Sequence, residues 1–325
     1  MTYIGTSFYQ AINYPIKDIK WFIDEVAKAG GNTIEFFVLR TWQKQYIGVE
    51  MPYVKVGTFT DNKYPGIEFP MYDLDRFNER RWRRWERIFK YCAKKNITVI
   101  VRIEDFCSFK NSLNKRYYFQ YASYQRHILK PIKGSAWFRE ETWRQREELF
   151  KKVIETLEKA GCKYFIVAMN EANMLNGSID HTKWCINYHN WARKTLKSIG
   201  VPRRKMIVST MFGARELHEK GYKVELHGVN SDIALADKIN EWGTKKVFFN
   251  GDGIDKFALG RRGDKKSKRE PSIEQGEEMG RLIKKHNLFG YCYFNRNTEN
   301  PLPADIRRAK FDVLKAIIEG YNSVS

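Results

Sequence analysis

The feature that most constrains this 325-residue chain is an unbroken alternation. Short apolar runs rich in β-branched and aromatic residues are each followed by an amphipathic stretch of helical period. The pattern predicts strands over 3–8, 32–39, 97–103, 163–169, 205–210, 224–229, 246–250 and 288–294. It predicts helices over 16–29, 76–95, 137–160, 182–198, 214–220, 231–242, 272–285 and 303–320. In the second helix, Trp82, Trp85, Ile88, Phe89 and Cys92 recur at steps of three, three, one and three, which places them on one face. Gly30-Gly31 supplies a stop signal for the first helix. The Gly-, Pro- and Tyr-rich segment between the second strand and the second helix predicts a long loop.

Eight strand–helix units with no linker or repeat break predict an α/β fold. In it, residues 1–325 form a single closed (β/α)8, or TIM, barrel. An open doubly wound sheet would normally carry a glycine-rich turn after its first strand. Here that turn reads Phe8-Tyr9-Gln10-Ala11-Ile12-Asn13, and neither a GxGxxG nor a Walker sequence occurs in the chain. No nucleotide cofactor is therefore expected.

The formal net charge of +20 implies attraction to polyanions such as an acidic glycan, nucleic acid or an anionic membrane, or a basic surface that serves solubility. No apolar run approaches the roughly 18 residues of a membrane helix. The first eight residues lack a basic region followed by an apolar stretch, so a cytoplasmic protein is expected. Cys92, Cys107, Cys162, Cys185 and Cys292 are scattered, without CxxC or zinc-type spacing. They read as free thiols, and no metal site is expected.

Barrels of this kind build their sites where the strands end. Those ends are polar in this chain: Arg40-Thr41-Trp42 after the second, Glu104-Asp105 at the third, Asn170-Glu171 at the fourth, His227 at the sixth, Asn250-Gly251-Asp252 at the seventh and Tyr293-Phe294-Asn295 at the eighth. Carboxylates converging with amides, a histidine and aromatic rings are what glycosidic cleavage needs. One carboxyl must stay protonated as acid, and another must be ionised as nucleophile or base.

Met169-Asn170-Glu171 at the fourth strand end resembles the Asn-Glu pair of the retaining glycoside hydrolases of clan A, the family 5 cellulases and mannanases above all. Leu226-His227 looks like that family's strand-six histidine, and Tyr72-Asp73-Leu74-Asp75-Arg76-Phe77-Asn78 also resembles its approach to the second helix. The resemblance implies that Glu171 is the general acid/base and that Asn170 binds the sugar 2-hydroxyl. It also implies a nucleophilic Glu after the seventh strand, where this chain has Asp252 as the only carboxylate in register. Glu35 stands where the family has a strand-two Arg, and Phe294 where it has a strand-eight Trp.

The expected function is hydrolysis of β-glycosidic bonds in an oligo- or polysaccharide, without cofactor. Glu171 and Asp252 are the expected catalytic pair, with Trp42, Glu35, Glu104, Asn170, His227, Asn250, Tyr293 and Phe294 lining the substrate site. The alternative is a silent barrel that binds glycan without cleaving it. The basic segment 261–269 and the basic-aromatic segment 115–121 suit an anionic sugar, whereas binding of single-stranded nucleic acid rests on charge alone. His181, His189 and His218 fall on predicted helices or at their starts and read as structural.

Overall fold

A computed structural model describes residues 1–8, 11, 14–39, 52–60, 68–105, 143–170, 181–210, 213–229, 232–250, 272–293 and 311–325. Its strands are β1 (Tyr3–Phe8), β2 (Thr33–Phe37), β3 (Tyr53–Thr60), β4 (Glu68–Phe77), β5 (Thr98–Asp105), β6 (Tyr164–Asn170), β7 (Met206–Ser209), β8 (Lys223–Leu226), β9 (Val247–Asn250) and β10 (Gly290–Tyr293). Its helices are α1 (Ile16–Lys28), α2 (Glu79–Lys94), α3 (Trp143–Lys159), α4 (His181–Ser198), α5 (Ala214–Glu219), α6 (Asp232–Trp242), α7 (Ile273–Lys285) and α8 (Asp312–Asn322). Eight parallel strands close a barrel in the order β1-β10-β9-β8-β7-β6-β5-β2. Each is the strand that the alternation predicts, and a helix follows each one. Among the described residues, no helix is long and apolar enough to cross a membrane.

The helices sit where their apolar stripes demand. Ile19, Phe22, Ile23 and Val26 of α1 are buried, as are Trp82, Trp85, Ile88, Phe89 and Cys92 of α2. Helix α7 begins with a reciprocal cap: the Ser272 side chain accepts from the Gln275 backbone, and the Gln275 side chain accepts from the Ser272 N–H. Cys92, Cys162, Cys185 and Cys292 are buried and form no disulfide, and burial pushes the Cys162 thiol up to about 12 and the Cys185 thiol up to about 11. Cys107 lies outside the described residues.

One expectation fails. Much of the segment predicted as a loop before α2 is an antiparallel hairpin, β3 paired with β4, inserted between the second and third barrel strands. Two irregularities in its register, at Tyr53/Val54 and Lys55/Gly57, break the period-two pattern that would have announced it. Pro70 is compatible with a two-stranded ribbon because such a strand has an edge where no N–H is needed.

His189 on α4 is buried, and burial holds its imidazole down to about 3. The unfolded chain takes up a proton near 6.5 that the native protein refuses, so stability should be lost as pH falls from about 6.5 towards 3. A His189→Phe variant should lack that component in thermal melts recorded between pH 7 and 4. Parallel pH slopes for the two proteins would refute the assignment.

Candidate functional site

The barrel interior is filled from its N-terminal side by Ile100, Phe165, Val167, Ile207, Phe248 and Cys292, with Tyr3 and Phe289 packed against them. Gly290 makes room for this plug, because a Cβ there would lie 2.4 Å from the Phe248 ring. Two residues further along the strands, at positions facing the same way, the interior turns polar. Ile100 is followed by Arg102, Ile207 by Ser209 and Phe248 by Asn250.

This polar layer is built around one guanidinium. Arg102 has no exposed surface, and neither do Glu35 on β2 or Glu225 on β8. Arg102 grips Glu225 with both terminal nitrogens, Nη1 donating to Oε2 at 2.7 Å and Nη2 to Oε1. Nη2 also donates to Glu35 Oε1 at 2.9 Å, and Nη1 to the side-chain oxygen of Asn170. The Asn250 amide bridges the two carboxyls, donating to Glu35 Oε1 at 3.0 Å and Glu225 Oε1 at 2.8 Å. Ser7 donates to Glu35 Oε2 at 2.6 Å. His227 Nε2 lies 2.8 Å from Ser209 Oγ and 3.2 Å from Glu225 Oε2.

Two carboxyls share one guanidinium, and the environment separates them. Burial pushes Glu35 up, against the opposing pull of Arg102, and the neighbouring Glu225 charge adds to the rise. Burial works to raise Glu225 as well, but Arg102 and His227 overcome it and hold that carboxyl well below its usual range. Of the two, Glu225 is the carboxyl whose ionised form this setting favours, and Glu35 is the one that holds a proton more tightly.

The predicted site residues are distributed unevenly around this layer. Glu35, Asn170, His227 and Asn250 come together in it. Tyr293 is buried at the end of β10, where its carbonyl accepts from Thr6 Oγ1 at 2.9 Å. Glu104 belongs to a second group. It is buried between β5 and the helices, with Arg146 of α3 donating to Oε1 at 3.0 Å and Tyr188 of α4 to Oε2 at 2.6 Å. Glu171, Asp252, Trp42 and Phe294 lie outside the described residues, as do the segments 115–121 and 261–269. Among the described residues, no group of three or more His, Cys, Asp or Glu side chains is placed to hold a metal ion.

Arg102, Glu225, Ser7 and Ser209 went unread in the sequence. The signal was there in part: ITVIVRI carries one charged residue, Arg102, inside an apolar strand, and KVEL carries Glu225 between two apolar residues after the Lys223 that opens it. A lone charge at an inward position must find its partner on another strand.

No protein-family model matches the chain, and no curated protein matches it. Solved structures do. An endo-1,4-beta-mannanase from Rhizomucor miehei aligns with a TM-score of 0.58 at 10% identity, over 99% of this chain and 94% of that one. A glycoside hydrolase family 5 enzyme from Prevotella bryantii, solved with a xyloglucan tetradecasaccharide, aligns with a TM-score of 0.53 at 13% identity, over 98% and 96%. A candidate glycoside hydrolase from Bacteroides vulgatus aligns with a TM-score of 0.56 at 12% identity over 100% of this chain, which spans 57% of that protein's length. What this chain shares with these proteins is the fold, a closed barrel of eight parallel strands each followed by a helix.

Proposed function

We propose that the protein is a glycoside hydrolase that cleaves β-glycosidic bonds of an oligo- or polysaccharide, with residues 1–325 acting as one catalytic barrel. The observation that carries the reading is the anchoring of Asn170. Its side-chain oxygen at the end of the fourth barrel strand is held by the buried Arg102, and the next residue in sequence is Glu171. Fixed in this way beside the acid position, an asparagine amide is the kind of group that recognises a sugar hydroxyl.

In this reading Glu171 protonates the leaving oxygen and Asp252 supplies the second carboxylate. Asp252 acts as nucleophile if the two carboxyls stand about 5–5.5 Å apart, and as base for a water at about 6.5–9.5 Å. Asn170, His227 and Tyr293 face the sugar together with Trp42 and Phe294. Glu35 and Asn250 act from the floor beneath them, and Glu104 acts through α3 and α4. Neither step calls for a cofactor. The net charge of +20 and the segment 261–269 favour a glycan that carries carboxylate or sulfate groups.

The second reading, a silent glycan-binding barrel, draws on the seventh strand. It ends in Asn250, whose amide is committed to Glu35 and Glu225, and no Glu follows it before Asp252. Incubation with β-linked glucan, mannan, xylan and uronic-acid oligosaccharides separates the two readings. The hydrolase releases new reducing ends from at least one of them, and the anomer formed first reports the stereochemistry. Saturable binding without cleavage would establish the silent barrel, and neither binding nor cleavage would end both readings.

A further inference from the structure

The opposite face of the barrel carries a second candidate site. The short 3-10 helix Arg203–Lys205 leads into β7, the turn at 220–222 into β8, and Lys246 into β9. Between these strand starts and α4 lies a half-open cavity of about 360 Å³. Arg193, Arg203, Arg204, Lys223 and Lys246 line it, and among the described residues no acidic one does. Among the described residues, none of these five cations is paired with a carboxylate. The neighbouring Lys205 and Lys220, by contrast, have Glu158 at 3.7 Å and Glu216.

The cations converge. A Cβ built on Gly221 would lie 2.6 Å from Arg203 Nη2 and 3.2 Å from Lys246 Nζ, so both groups meet above that glycine. Arg203 Nη2 is fixed there by the carbonyls of Lys220 and Gly221, at 2.8 and 2.6 Å. Tyr222 forms a wall, its hydroxyl tied to Asn190 at 2.6 Å and its ring 4.6 Å from the Arg193 guanidinium and 5.8 Å from that of Arg203. Lys223 Nζ is held over the Phe289 ring at 4.1 Å and donates to the Arg204 carbonyl. Burial and the Arg204 charge push the Lys223 ammonium down to about 8.

Gathering five like charges around one concavity costs energy that an oxyanion in the cavity would offset. Two or more guanidinium forks with an ammonium suit the tetrahedral oxygens of a phosphoryl group. A polymer backbone would call for a stripe, whereas these five residues line one compact hollow. We propose that this cavity binds a compact phosphoryl oxyanion, a phosphate monoester or a diphosphate, on the face of the barrel opposite the strand ends. The site stands whether or not the barrel hydrolyses glycans.

Lys246 provides a clean variant. Its backbone is left-handed, with φ 62°, and the corresponding turns before β5 and β10 place Asn96 and Asn287 in the same conformation. Asparagine adopts that region more readily than lysine, so Lys246→Asn removes a cation without loss of stability.

Calorimetric titration of the full chain with inorganic pyrophosphate at pH 8 and low salt tests the proposal. One saturable site is expected, weakened on the order of tenfold by Lys246→Asn and again by Arg204→Gln, with thermal stability retained. Absence of saturable binding would overturn the proposal. So would an affinity that neither substitution changes, or binding of a single-stranded oligonucleotide that pyrophosphate fails to displace.

Discussion

Glu171→Gln is expected to lower glycoside cleavage by about 10²–10⁴-fold while leaving the unfolding midpoint in place, since removing a general acid or base costs a factor of that size. The loss should fall on kcat more than on KM, because a general acid acts on the leaving oxygen in the transition state. An aryl glycoside with an acidic leaving group needs little protonation, so its bond-breaking step should suffer far less than that of a natural sugar. The limb of the pH–rate profile that reports the acid should vanish in the variant. Steady-state rates of the two proteins on both substrate types check the assignment. Equal losses on the two substrates, or no loss at all, would remove Glu171 from the role of acid.

The second large effect is on stability. Arg102→Met deletes the guanidinium that serves Glu225, Glu35 and Asn170 at once. Breaking a fully buried ion pair on one side costs about 3–5 kcal/mol, because the remaining charge has neither water nor partner. A lowered urea midpoint that, multiplied by an unchanged slope, gives a loss of that size is the expected outcome. Glu225→Gln should be costly for the same reason in reverse. Glu35→Gln should cost less, because burial raises the Glu35 carboxyl and so brings it closer to a neutral amide than Glu225 is. If Glu35→Gln proves as damaging as Glu225→Gln, the division of charge between the two carboxyls is wrong.

Much of the barrel was legible because each of its strands is an apolar run bounded by a helix signal, and period alone separates the two. β1 was read at its observed ends, and the stripe of α2 was read residue by residue. The hairpin was not, since two register irregularities and a proline disguise its alternation. Asn170, His227, Asn250 and Glu35 were legible as strand-borne polar groups, but their mutual partners were not. Arg102 meets Glu225 across 123 positions of sequence and Asn250 meets Glu35 across 215, and no local pattern encodes such a meeting. Glu104 shows the limit from the other side. Its strand-end position was legible, but its partners Arg146 and Tyr188, 42 and 84 positions further along the chain, were not.

The same long separations bear on how the ring is assembled. Contacts between distant parts of a chain form slowly, because the closing entropy comes before the reward. Here the reward is also conditional. A partly formed barrel that brought β8 inward without β5 would strip water from the Glu225 carboxylate before its guanidinium arrived. Half-closed intermediates therefore sit high in energy, and the polar layer couples β2, β5, β6, β8 and β9 into one cooperative closure. A charge cluster that reads as local reinforcement in the native state is, for the folding chain, a penalty on every incomplete ring.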